Sequence, residues 1–309
     1  MGVLAFRVLS KGSGNARRLV VSAAAKVNLA LEVLSRRADG YHEIATVMHA
    51  VDLSDRLVLE EADALEVRTT APGVPTDERN LAHRAAAALR KAAGVDRGVR
   101  ITLDKRIPVA AGLGGGSTDA AAVLVGLNRL WGLRWPAAQL DEVAVELGMD
   151  VPFFLRGGAA LATGRGERLA ALGGAVLALV LVNPRFPVST AEMYGHLTPA
   201  MYSDGARAQA VARALRGRGV NRLAACLYNG MEATARAAYP QIGQMQAALV
   251  AAGALGAAMS GSGPTVFGLA RSLEQARQIQ RRVGRARWEC WAVRTLRGPA
   301  IRIRTNGAG

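Results

Sequence analysis

Four glycines crowd into five positions of the run Pro108-Val109-Ala110-Ala111-Gly112-Leu113-Gly114-Gly115-Gly116-Ser117-Thr118. Upstream, Val99–Asp104 alternates as a strand. Downstream, Ala120, Val123, Leu124, Leu127, Leu130 and Trp131 recur at helical spacing, which predicts a helix from about Ser117 to Trp131. The run therefore joins a strand to a helix. Glycines leave backbone N–H groups open to a ligand, and a helix start with Ser117 and Thr118 favours an anion. A phosphate is the natural occupant. A plain turn into a helix would explain one or two glycines, not four. The run is not a GxxxxGK[ST] loop. It is not a GxGxxG dinucleotide fingerprint either, because Ser117 stands at the sixth position and no acidic residue follows at about 20 residues.

The remaining pattern predicts a mixed α and β chain. Leu19–Ala25, Val27–Leu34, Ile44–Val51 and Arg56–Glu60 read as strands broken at Asp39-Gly40 and Ser54-Asp55. Leu81–Ala93 reads as a helix closed by Gly94, and Pro136–Leu147 as a helix with proline in its first turn. After Gly173-Gly174 come a strand (Val176–Val182) and helices near 204–216, 231–238 and 242–252. A strand (Thr265–Ala270), a helix (Leu273–Val283) and a strand (Cys290–Leu296) follow. This is an α+β order with two domains, 19–170 and 171–309. Residues 1–18 read as a flexible extension or a misassigned start; Arg7 interrupts their apolar stretch, and Phe6 stands where a myristoylation pattern needs Ser or Thr.

Composition excludes several classes. The longest apolar candidate, Ala175 to Val182, suits a buried strand and not a membrane span. Cys226 and Cys290 are the only cysteines and form no CxxC pair, which argues against disulfides or a cysteine zinc site and for a reducing, cytoplasmic setting. No cluster of His or carboxylates has metal-ligand spacing. The net charge is +15, and much of it sits at the ends: residues 271–304 hold ten Arg against Glu274 and Glu289. Such an end could bind nucleic acid. The ten arginines are spread over 34 residues, and an Arg- and Ala-heavy chain is also what a GC-rich genome produces, so no nucleic-acid partner is expected.

The glycine run resembles the second motif of the galactokinase–homoserine kinase–mevalonate kinase–phosphomevalonate kinase (GHMP) superfamily. Met259-Ser260-Gly261-Ser262-Gly263-Pro264-Thr265 resembles the third. Four further segments resemble one branch, the 4-diphosphocytidyl-2-C-methyl-D-erythritol kinases: Ala25-Lys26-Val27-Asn28, Arg37-Ala38-Asp39-Gly40-Tyr41-His42, Gly148-Met149-Asp150-Val151-Pro152 and Val188-Ser189-Thr190-Ala191-Glu192. The resemblance runs from about Leu19 to Leu296. It implies a ribosomal-protein-S5-like first domain and a ferredoxin-like α/β sandwich second. It also implies ATP-dependent phosphorylation of the 2-hydroxyl of the cytidyl substrate, in non-mevalonate isoprenoid synthesis. Homoserine, mevalonate or a sugar are the alternative acceptors.

Roles follow from residue type and resemblance together. Phosphoryl transfer to an alcohol needs a proton acceptor and stabilised phosphate charge. Asp150 is the candidate base, although an aspartate there also suits a helix cap. Lys26 is its candidate partner, although a strand lysine can simply face solvent. Asn28, two residues on, shares the face of Lys26 and could bond the acceptor. Pro108 to Thr118 is the ATP-binding run. Tyr41 and His42 are ordinary hairpin composition by themselves; the resemblance assigns them, with Tyr194 as opposing ring, to the cytosine. Thr190 is a further substrate-side position. The resemblance places the Met259–Thr265 loop against the glycine run. Lys105 and Asn80 are further candidates for the nucleotide site. Mg²⁺ is expected to enter with ATP, with Ser117 as a possible single ligand.

Overall fold

The computed structural model describes residues 17–217, 219–284 and 288–304. The expected extension lies outside them except for Arg17 and Arg18, and Arg18 already opens the first strand. Strands β1 (Arg18–Arg36) and β2 (His42–Ala62) pair antiparallel along almost their whole length. The four shorter strands expected here are thus two long ones. The break expected at Ser54-Asp55 is a register shift opposite Ala24/Ala25, not a turn. Asp55 is tolerated inside the sheet because its Oδ1 accepts from the amides of Arg106 (2.6 Å) and Ile107 (2.9 Å).

The first half continues through β3 (Leu65–Thr69), α1 (Leu81–Ala93), β4 (Gly98–Asp104), α2 (Gly115–Leu130), α3 (Ala137–Leu147), α4 (Val151–Arg156), β5 (Ala159–Gly164) and β6 (Arg168–Leu172). The long β2 serves two neighbours: Arg56–Ala62 pairs with β4, and Ile44–His49 pairs with β5. Helix α2 lies in the core with Ala120, Ala121, Ala122, Val123, Leu124 and Leu127 buried against β1, β2 and α4. Its small side chains admit close packing. A Cβ on Gly126 would sit 2.3 Å from Leu59, so only glycine lets the helix approach the sheet there. Few aromatics are needed for such a core.

The second half holds β7 (Ala178–Asn183), α5 (Thr190–Gly195), α6 (Ala206–Arg216), α7 (Val220–Cys226), β8 (Tyr228–Asn229), α8 (Glu232–Ala238), α9 (Gln241–Ala251), β9 (Gly256–Met259), β10 (Val266–Ala270), α10 (Leu273–Val283), β11 (Glu289–Arg294) and β12 (Ile301–Arg304). Its sheet is ordered β11-β7-β10-β9, the strand order of the expected ferredoxin-like sandwich. All six residues of β7 are buried, with Leu179 and Leu181 facing the first sheet and α6, and Val180 and Val182 facing α9 and α10. Covering on both faces explains its unbroken apolar run.

Strand β12 then returns to β1 (Val20↔Arg304 through Ala23↔Ile301), so the C-terminal end completes the first sheet. Residue 170, where the sequence suggests a division, falls inside β6. Several short elements escaped the sequence pattern: β3, β5, β6, β8, β9, β12, α4, α5 and α7. Alanine-rich β5 has no strand preference of its own. It is a strand because β2 and β6 supply hydrogen bonds on both edges. Among the described residues no helix is long and apolar enough to cross a membrane.

Candidate active site

One cleft of about 990 Å³ lies where β1, the β4–α2 loop, the start of α4, α5 and the Ser260–Ser262 loop meet. Lys26 projects into it from β1 although it is only 4 % exposed. Its Nζ lies 3.5 Å from Oδ2 of Asp150, the residue that precedes α4. The same Nζ donates to Asn28 Oδ1 at 2.6 Å. Asn28 is fixed in turn: its Nδ2 donates to Thr46 Oγ1 at 2.8 Å, and Thr46 donates to the Ala30 carbonyl at 2.6 Å. A buried cation thus has one carboxylate and one amide, and the carboxylate remains partly open to the cleft.

The glycine run wraps this pair. The Lys26 amide donates to the Leu113 carbonyl at 3.0 Å. Gly114 adopts φ +71°, and a Cβ on it would meet the Phe154 ring at 2.6 Å and Lys26 Cγ at 3.2 Å. Gly112 is pressed as closely: a Cβ would stand 2.0 Å from the Ser260 carbonyl. Ser260 Oγ donates to the Gly112 carbonyl (2.9 Å) and accepts from the Asn28 amide (3.1 Å). The Met259–Thr265 loop therefore braces the glycine run, as expected. Pro108, Val109, Ala110, Ala111, Gly112, Gly114, Gly115, Gly116 and Ser117 all line the cleft. Leu113 and Thr118 do not: Leu113 is buried in the core, and Thr118 is fully buried in the first turn of α2.

A second charged group sits beside the helix start. Lys105 Nζ bonds Asp119 Oδ2 at 2.6 Å and also bonds Asp55. Burial opposes the charge on Lys105, but Asp119 and Asp55 outweigh it and raise its pKa. Burial raises the pKa of Asp119, Lys105 pulls it back, and Asp55 adds to the rise. Asp119 Oδ1 is buried without a hydrogen-bond partner among the described residues. Sequence reasoning missed Asp55 and Asp119; the one signal was an acid directly after the Ser117-Thr118 pair. Asn80 lines the cleft, but its side chain is engaged as the cap of α1, accepting from the Ala82 amide and donating to the Pro75 carbonyl.

At the other end of the cleft, Tyr41 is 52 % exposed and the Arg165 guanidinium stands 5.0 Å from its ring centre. His42 packs at 5.2 Å against Tyr194 from α5, so the ring opposing Tyr194 here is His42. Burial, then Arg36, lowers the His42 pKa. Burial, then the charge of Asp150, raises that of Tyr194, which ties the aromatic end electrostatically to the carboxylate. Thr190 Oγ1 lies 2.9 Å from Ser262 Oγ. Neutral imidazole, two phenols and a guanidinium suit a flat, polar ring; the opposite end suits phosphates.

The "GHMP kinases N terminal domain" profile matches residues 80–158 and the "GHMP kinases C terminal" profile matches residues 207–290. A 4-diphosphocytidyl-2-C-methyl-D-erythritol kinase of Pelotomaculum thermopropionicum is 49 % identical over 89 % of this chain and 96 % of that protein. The chain belongs to the GHMP kinases. A crystal structure of 4-(cytidine 5'-diphospho)-2C-methyl-D-erythritol kinase superposes with TM-score 0.76 at 38 % identity, over 89 % of this chain and 98 % of the other. A homoserine kinase from Cytophaga hutchinsonii superposes nearly as well, TM-score 0.73 over 98 % of this chain and 100 % of the other, at 22 % identity. That likeness shows the fold alone. As a GHMP kinase the chain uses ATP as phosphoryl donor.

Proposed function

We propose that this GHMP kinase transfers the γ-phosphoryl group of ATP to the 2-hydroxyl of 4-diphosphocytidyl-2-C-methyl-D-erythritol. The Pelotomaculum relative bears that substrate in its name at 49 % identity. The observation that carries the reading is a single cleft with an anion-binding glycine run at one end, the Tyr41–His42–Tyr194 set at the other, and Lys26–Asp150 between. In the reaction the acceptor oxygen attacks the γ-phosphorus, the bond to the ADP oxygen breaks, and Asp150 takes the hydroxyl proton. Lys26 holds Asp150 in place and supplies positive charge where the transition state gathers negative charge. Asn28 orients the acceptor. The glycine run and the α2 N-terminus hold the phosphates. Tyr41, His42 and Tyr194 hold the cytosine, and Thr190 lies on the same side.

Mg²⁺ fits this cleft as a companion of ATP. Ser117 and Asp119 both line it, and no group of three or more His, Cys, Asp or Glu able to hold a metal occurs among the described residues. Most ligands of the ion would be phosphate oxygens and water, with Ser117 as the protein's contact. The ion, when bound, neutralises phosphate charge. ADP release with each candidate alcohol tests the reading. Turnover is expected with the cytidyl compound; turnover with homoserine or mevalonate and none with the cytidyl compound would overturn it.

A further inference from the structure

Side chains alternate along β1, so Lys26 and Asn28 face the cleft while Val27 between them faces the other way. The cross-strand partner of Val27 is His49. Behind the Lys26 strand, beside His49, opens a second cavity of about 570 Å³. Arg216 at the end of α6 and Arg297 in the β11–β12 connection stand on its wall, with Ala159, Leu172 and the Gly173-Gly174 connection. Among the described residues no acidic side chain lines it. Among the described residues neither guanidinium is in an ion pair.

His49 is only 2 % exposed, and its Nδ1 is buried with no hydrogen-bond partner among the described residues. Burial, partly opposed by backbone groups of Ala50 and Gly158, holds its pKa down at about 4. At neutral pH the buried imidazole is therefore uncharged, and the positive charge of the wall comes from the two arginines. Two guanidinium groups on one wall, neither in an ion pair among the described residues, match a phosphate or diphosphate, which arginine binds through paired N–H groups. The apolar wall of Ala159 and Leu172 leaves room for a short hydrocarbon tail. The volume lies within the usual range for small-molecule sites.

We infer that this cavity is a second ligand site, which takes a small organic phosphate or diphosphate with a short apolar tail. The site lies on the reverse face of the strand pair that carries Lys26, Asn28 and Thr46. It also joins the first sheet to α6 and to the connection between the two halves. An occupant touches elements from both halves without entering the cleft.

The full chain is titrated calorimetrically with butyl diphosphate and with inorganic diphosphate, with the cleft saturated by a non-hydrolysable ATP analogue. One butyl diphosphate per chain is expected to bind under those conditions, about fourfold tighter than inorganic diphosphate for each methylene buried. Arg216→Ala/Arg297→Ala should weaken it at least tenfold and leave kcat and both KM values within twofold. Absence of binding to the nucleotide-saturated protein, or equal affinity in wild type and double variant, would overturn the site. Equal affinity for the two diphosphates would overturn its assignment to an organic ligand. Binding to this site and failure of the cytidyl substrate assay are separate readouts.

Discussion

Gly114→Ala probes how the glycine run, Lys26 and Asp150 are held together. The added methyl would sit 2.6 Å from Phe154 Cζ, 2.8 Å from Cε2 and 3.2 Å from Lys26 Cγ. Ordinary carbon contacts are about 3.5–4.0 Å, so Phe154 or the loop must retreat by about 1 Å. Phe154 is fully buried in α4, the helix that Asp150 begins, and has no open space to enter. The methyl therefore pushes on both members of the Lys26–Asp150 pair. The left-handed backbone at φ +71° adds about 1–2 kcal/mol, and overpacking about 1–3 kcal/mol, for a total of about 2–5 kcal/mol. Gly132→Ala is the control: Gly132 has φ +70° but nothing within 4 Å, so it should lose only about 1–2 kcal/mol. Denaturant midpoints compare stability, and ADP release gives kcat. A 1 Å displacement at the reacting centre can cost about 10²-fold, so Gly114→Ala should lose between about 10- and 100-fold in kcat while Gly132→Ala stays near wild type. If Gly114→Ala were no less stable than Gly132→Ala and kept wild-type kcat, the packing argument would be refuted.

Asp150→Asn should lower kcat by at least about 10² with both KM values nearly kept, and Lys26→Met should lower it too, with the double variant far from the product of the two effects; near wild-type kcat in Asp150→Asn would name the wrong carboxylate. Tyr41→Ala should raise the KM for the cytidyl substrate through loss of about 1–3 kcal/mol of stacking and leave the KM for ATP unchanged. A rise in the ATP value instead would exchange the two ends of the cleft. Lys105→Met leaves Asp55 and Asp119 buried without their cation, which should cost about 3–5 kcal/mol. Because burial raises the Asp119 pKa, its protonated form is favoured in the fold, so that cost should be smaller at pH 5 than at pH 8 in urea titrations. His49 stays neutral in the fold down to about 4 but protonates near 6.5 when unfolded, so stability present above pH 6.5 is lost as pH falls toward 4, by about 3 kcal/mol. His49→Gln should flatten that part of the stability–pH curve, and an unchanged slope would show that His49 is not the group responsible.

The sequence by itself determined the parts whose chemistry is local. Four glycines before Ser117 can only be a close backbone approach at a helix start, and they are found between β4 and α2. Lys26, Asn28 and Asp150 are singled out by residue type and family resemblance together, since a strand lysine can face solvent and an aspartate can cap a helix, and they meet at one point of the cleft. The α+β character of the second half is also legible in the sequence, because β7, β10, α10 and β11 carry patterns strong enough to read, whereas its ferredoxin-like form is what the family resemblance implies and β9 carries no such pattern. What only the tertiary structure decided rests on partners distant in the chain. Asp55 reads as a turn residue and is a buried strand residue, because Lys105, Arg106 and Ile107 arrive from about fifty positions away. Strand β5 has no local preference for extension and is held by β2 and β6. Tyr194 faces His42 and not Tyr41 because α5 approaches the hairpin from the second half of the chain. The cavity behind Lys26 has no motif at all, since His49, Arg216 and Arg297 become neighbours only when β2, α6 and the β11–β12 connection pack together. Local periodicity and backbone freedom are written in adjacent residues, whereas pairing, burial and electrostatic partnership depend on contacts that the linear order does not contain.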